Sequence, residues 1–125
     1  MIQVELVNRS GIDVAGDDVR EFALNILERE NVDGGELGLW FVPPDEIRAL
    51  KDEHLGIDEI TDVLSFPMDG TVPLAEGQPR ALGDIFICPQ VVEDAWRVSL
   101  AHGLLHLLGY EHGSRMSRRE KELLT

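Results

Sequence analysis

His102-Gly-Leu-Leu-His106-Leu-Leu-Gly109-Tyr-Glu-His112 carries three of the chain's four histidines, and its spacing is that of a three-histidine metal site on a helix. Positions four apart lie one above the other on a helix face, so His102 and His106 can aim two imidazoles at one point. On a wheel advancing about 100° per residue, His106 falls about 40° from His102. Leu107, Leu104, Leu108 and Leu105 then spread over the opposite arc of the same wheel. The leucines face a core and the histidines face away from it.

Gly109 sits where this helix should end, because glycine takes the left-handed conformation past the last turn without steric penalty. Three further residues reach roughly 10 Å at about 3.3 Å each, enough to return His112 to the first two imidazoles. Three neutral nitrogens would leave the fourth tetrahedral position open to water, the arrangement of a catalytic zinc, one per chain. The spacing HxxxHxxGxxH is also that of the metzincin proteases, which carry a glutamate base directly after the first histidine. Here that position is Gly103, which cannot accept a proton. Glycine inside a helix costs about 1 kcal/mol relative to alanine, so Gly103 implies close approach of a neighbouring element or a substrate.

Outward from this block, 125 residues suit one domain over 1–125 with a real core. Gln3 to Asn8 alternates as a strand. Asp17 or Asp18 can cap a helix to about Asn31, with Val19, Phe22, Ala23, Ile26 and Leu27 on one face. Leu37 to Val42 reads as a second strand, Pro43 opens a helix to about Leu55, and Val63 to Phe66 is a third strand. Asp69 to Arg80 is a loop, either a functional edge of a cleft or an untidy hairpin connection. Ala81 to Cys88 is a fourth strand. Pro89 to Trp96 is helical, with a break expected near Asp94 to Arg97 because Arg97 falls in the leucine arc. Ser114 to Leu124 is a last helix with a serine cap. The fold class is therefore α+β: a small, roughly four-stranded mixed sheet with helices packed on it and a zincin-like metal helix.

The single cysteine, Cys88, excludes an internal disulfide and reads as a buried strand-end residue. The amino end, Met1-Ile-Gln-Val-Glu-Leu, resembles neither a signal peptide nor a membrane span, which points to the cytoplasm and no membrane partner.

Three segments in order resemble the YbeY family of bacterial endoribonucleases. His102 to His112 resembles its HGxLHLxGYDH signature, and Thr61-Asp-Val-Leu-Ser-Phe-Pro67 and Gly83-Asp-Ile85 resemble its two other marked segments. The resemblance implies a zinc-dependent, single-strand-directed endoribonuclease acting in ribosomal RNA maturation and ribosome quality control. It also implies that His102, His106 and His112 are the ligands, on a mixed α/β domain with the metal at one end of the sheet. Its implied partners are single-stranded RNA and ribosomal RNA or the ribosome, with no DNA. There are departures. Glu111 replaces the usual aspartate, Leu55 stands where the family usually has a cleft arginine, and the stretch from Ile87 to His102 is shorter than usual. Arg48, Arg80 and Arg115 are the cations nearest to Leu55's role.

The net charge of −13 runs against RNA binding, but it is uneven. Met1 to Ala101 holds 7 basic and 21 acidic residues, whereas His102 to Thr125 holds 4 basic and 3 acidic. Arg115, Arg118 and Arg119 are thus candidate RNA contacts, or else a solvated helix face. Glu111, by adjacency, and Asp84 or Asp62, at strand ends, are candidate carboxylates supporting the ligands. Two other functions fit the residues: a zinc-stabilised ribosome-binding module with little catalysis, and a metallohydrolase of peptides.

Overall fold

The computed structural model describes residues 1–125. The elements run β1 (Ile2–Asn8), α1 (Gly16–Arg29), β2 (Gly35–Phe41), α2 (Pro44–Leu55), β3 (Val63–Pro67), β4 (Ala81–Ile87), α3 (Pro89–Val92), a 3-10 turn (Glu93–Ala95), α4 (Trp96–Leu107) and α5 (Ser114–Leu124). The sheet order is β1-β2-β4-β3, with β1, β2 and β4 parallel and β3 antiparallel to β4. This is the mixed α+β architecture expected. No helix is long and apolar enough to cross a membrane.

Two apolar clusters cover the two faces of the sheet. On one face Val19, Ala23, Ile26 and Leu27 of α1 meet Leu37, Leu39 and Phe41 of β2, Ile85 and Ile87 of β4, and Leu100, Leu104 and Leu105 of α4. On the other, Ile47 and Leu50 of α2 pack with Leu64, Phe66, Phe86 and Trp40. Burying one such leucine or isoleucine is worth about 1.5–3 kcal/mol, so α4 is anchored by its leucines and the histidines are free to serve another purpose.

α4 is apolar on most sides because it touches β3, β4, α1 and α5 together. Gly103 explains how it comes so close. A Cβ there would stand 3.1 Å from Ile85 Cγ2 and 3.4 Å from Val63 Cγ2. The neighbour that requires glycine is therefore the sheet, not a substrate.

Several expectations need correcting. The N-cap of α1 is Ala15, and Asp17 and Asp18 sit inside the first turn, where a carboxylate favours the helix dipole without capping it. Gly113, not Ser114, precedes α5, and no side chain caps it. The break before α4 does fall in the expected region, as a 3-10 turn over Glu93–Ala95 in which Glu93 has a positive φ of 48°. Arg97 stays within α4 but remains exposed, its guanidinium 4.2 Å from the centre of the Trp96 ring. Cys88 is free and buried, and burial raises its thiol pKa.

Candidate metal centre

The end of α4 closes as the glycine predicted. Gly109 has φ +97°; its N–H donates to His106 C=O at 3.0 Å and that of Tyr110 donates to Leu105 C=O at 3.0 Å. This paired closure is the Schellman motif. It turns the chain back on the helix, so that the Tyr110 carbonyl comes to 2.9 Å from His106 Nδ1 and His112 joins the pair.

The three Nε2 atoms form a nearly equilateral triangle: His102 to His106 3.0 Å, His106 to His112 3.1 Å, His112 to His102 3.2 Å. Their roles follow from the other ring nitrogens. A carbonyl only accepts, so His106 Nδ1 carries the proton that it donates to Tyr110. Glu120 Oε1 lies 2.7 Å from His102 Nδ1, and an ionised carboxylate likewise only accepts. Burial pushes the His106 pKa below the ordinary histidine value, which keeps the ring neutral near pH 7. With its proton on Nδ1, the His106 ring turns the Nε2 lone pair towards the other two Nε2 atoms, 3.0 and 3.1 Å away, where a cation between them would be held. Nitrogens about 2.0–2.1 Å from one tetrahedral ion stand about 3.3–3.4 Å apart. The donor set therefore fits a metal ion.

The supporting carboxylate is not one of those expected. Asp84 projects from the opposite face of the sheet, because Ile85 faces Gly103 and side chains alternate along a strand. There it accepts the Trp40 indole N–H at 3.0 Å. Glu111 is exposed and bonds to no histidine. Glu120, on α5, makes that bond. Nothing local marks it, since it lies 18 positions from His102 in the chain; packing of α5 against α4 brings it in. The Tyr110 carbonyl was foreseeable from Gly109 and the motif it closes.

A groove of about 490 Å³ opens over the triangle, lined by Leu55, Thr61 to Phe66, Val98, Ser99 and the three histidines. Asp62 is its one carboxylate. It accepts the Ser99 hydroxyl at 3.0 Å and the Thr61 hydroxyl at 3.3 Å. No arginine or lysine lines the groove. Arg48 pairs with Asp58 at 2.7 Å, and Arg80 donates to the carbonyls of Gly70 and Val72 at 2.6 and 2.7 Å. The 69–80 loop that Arg80 ties down is a hairpin connection with no residue in the groove.

Of the three arginines on α5, Arg119 is bound into the fold, pairing with Glu30 at 3.3 Å and donating to the Arg29 carbonyl at 3.2 Å. Arg115 lies 4.8 Å from the centre of the Tyr110 ring. Arg118 is exposed and has no ion-pair partner.

Comparison with known proteins gives one consistent result. The family described as Endoribonuclease YbeY matches residues 6–125. The chain is similar to the Endoribonuclease YbeY of Salinispora tropica, 34% identical over 139 residues that cover 95% of this chain and 88% of that protein. It is also similar to that of Acidothermus cellulolyticus, 33% identical over 146 residues covering 98% and 89%. Among solved structures, the solution structure of a Thermotoga maritima protein aligns with a TM-score of 0.59 and 28% identity, over 99% of this chain and 87% of that one.

Proposed function

The chain belongs to the YbeY family of endoribonucleases, and from that premise we propose that residues 1–125 act as one zinc-dependent domain that cleaves single-stranded RNA. Its setting is ribosomal RNA maturation in the cytoplasm, with ribosomal RNA or the ribosome as partner. The observation that carries the reading is the convergence of three Nε2 atoms whose partner nitrogens, on His102 and His106, are tied to acceptors.

His102, His106 and His112 would hold the ion. A zinc ion there supplies concentrated positive charge, which polarises a phosphoryl oxygen and eases loss of a proton from water. The chain's own residues do the rest. Glu120 and the Tyr110 carbonyl keep two imidazoles in the ligating tautomer and orientation. Asp62, oriented by Ser99 and Thr61, is the carboxylate in position to take a proton within the groove. Arg115 and Arg118 meet phosphates outside it. Peptide hydrolysis of the metzincin kind would need a carboxylate after His102, and position 103 faces the sheet.

The test is cleavage of single-stranded RNA, duplex RNA and casein, each with and without chelator. Chelator-sensitive cutting of single-stranded RNA alone is expected; chelator-sensitive cutting of casein would overturn the reading.

Glu120→Ala protein should bind zinc about 10–100-fold more weakly, the usual loss when a group supporting a ligand is removed. Competition with a chromophoric chelator measures this, and unchanged affinity would remove Glu120 from the centre.

Leu55 gives a second expectation. It lines the groove and is 56% exposed, so an arginine there would need no burial of charge. Arg48 and Arg80 are committed elsewhere and Arg115 does not line the groove, which leaves the groove itself without a phosphate-stabilising cation. A single such donor is often worth about 2–4 kcal/mol in a transition state. Leu55→Arg should therefore raise chelator-sensitive cleavage tenfold or more at constant zinc content. If the natural protein is already fast and the variant is no faster, the vacancy does not exist.

A further inference from the structure

A groove without lysine or arginine cannot hold RNA chiefly through its phosphates, the usual source of affinity. Its remaining polar groups are therefore the ones to account for, and several of them are backbone. β3 is an edge strand whose residues line the groove beside the histidines. The Cys88 N–H donates to the Asp62 carbonyl at 3.0 Å and the Met68 N–H to the Leu82 carbonyl at 3.2 Å. These bonds place the even-numbered positions of β3 in the ladder with β4. By antiparallel alternation, the N–H and C=O groups of Val63 and Ser65 point to the free edge. No loop supplies them with a partner. The next outward position is Pro67, which has no N–H.

One extended residue presents its N–H and C=O side by side. That donor and acceptor complement the Watson–Crick edge of any nucleobase: the ring N–H and carbonyl of uracil or guanine, or the ring nitrogen and amine of cytosine or adenine. Val63 and Ser65 repeat the pair about 6.8 Å apart. Two apolar side chains also line the groove and are half in solvent, Leu55 at 56% and Val98 at 50% exposure. They offer surfaces for the faces of a ring, which every base has.

Resting on the nucleolytic reading above, we infer that the free edge of β3 is a base-binding subsite. The backbone groups of Val63 and Ser65 pair with the Watson–Crick edge of an unpaired nucleotide, and Leu55 and Val98 bracket its ring. A base in a duplex already has that edge occupied. The subsite therefore selects single strands and tolerates different bases, and it brings the adjoining phosphate to the histidines without a cationic clamp.

The experiment titrates zinc-loaded protein with uridine 3′-monophosphate and follows the backbone amides by NMR. The Val63 and Ser65 signals should shift, and shift equally with the 5-methyluridine nucleotide, whose methyl lies off the pairing edge. The N3-methyluridine nucleotide, which blocks that edge, should leave them unmoved. Unmoved amides with uridine, or equal shifts with the N3-methyl form, overturn the inference. So does an extended peptide that shifts both amides where uridine does not, since the edge would then be a strand-pairing site.

A second arm uses an oligouridylate carrying one N3-methyluridine. Cutting beside the modified base should fall at least tenfold while the other sites keep their rates. Uniform cutting sinks the subsite and leaves the nuclease intact. Amide shifts without any RNA cleavage would instead sustain the subsite and remove the nuclease.

Discussion

His106→Ala protein should emerge from purification with almost none of the one equivalent of zinc expected of the natural chain, and with RNA cleavage reduced a thousandfold or more. His106 stands 3.0 Å from His102 and 3.1 Å from His112 in the triangle, and its own orientation is set by the Tyr110 carbonyl. Removing it leaves two imidazoles, only one of them supported by a carboxylate, too few for tight binding. A loss of about 4 kcal/mol in transition-state stabilisation corresponds to roughly a thousandfold at about 1.4 kcal/mol per tenfold, within the several kcal/mol a metal can supply. The fold should survive, because the α4 side chains that anchor the core are Leu100, Leu104 and Leu105. Metal analysis beside a melting curve separates the two effects. Glu111→Ala is the informative contrast: its carboxylate touches no histidine, so zinc content should not change. Full zinc retention by His106→Ala would take His106 out of the centre.

Gly103→Glu should fail for a different reason. In a metzincin-like reading it restores the missing base, yet position 103 is buried against Ile85 and Val63. Even a lone Cβ is tight there, and a glutamate would carry a charge into contact with the apolar side chains of Ile85 and Val63. Overpacking alone costs about 1–3 kcal/mol, and an uncompensated buried charge costs several more, a large share of the roughly 5–15 kcal/mol that typically holds a domain together. The variant should melt at least about 10 °C lower or not fold, since 1 kcal/mol shifts a domain of this size by about 3–6 °C. It should also cut no casein. A stable variant with chelator-sensitive proteolysis would show that Gly103 faces the metal and not the sheet.

Gly103 also shows where sequence reading divides. Its presence signalled a close approach, but only the packing of α4 on β3 and β4 shows that the sheet is what approaches. The same holds for charge. The positive balance of the last segment is real, yet Arg119 is tied to Glu30 and no basic side chain enters the groove. Counting residues along the chain cannot distinguish an arginine facing RNA from one holding two helices together.

What the sequence determined by itself is the local part of the centre. The i, i+4 histidines, the leucine arc, the left-handed Gly109 and the return of His112 all lie in one short stretch, and helix periodicity and the Schellman closure act over a few residues. Only the tertiary structure decided the rest. Glu120 reached His102 because α5 folds back on α4. Asp84 was turned away because β4 presents Ile85 to α4 and the next side chain must face the other way. Val63 and Ser65 were left with free backbone groups because β3 closes the sheet as its last strand. These outcomes depend on strand order, register and helix packing between residues far apart in the chain, and short-range propensity carries no record of them.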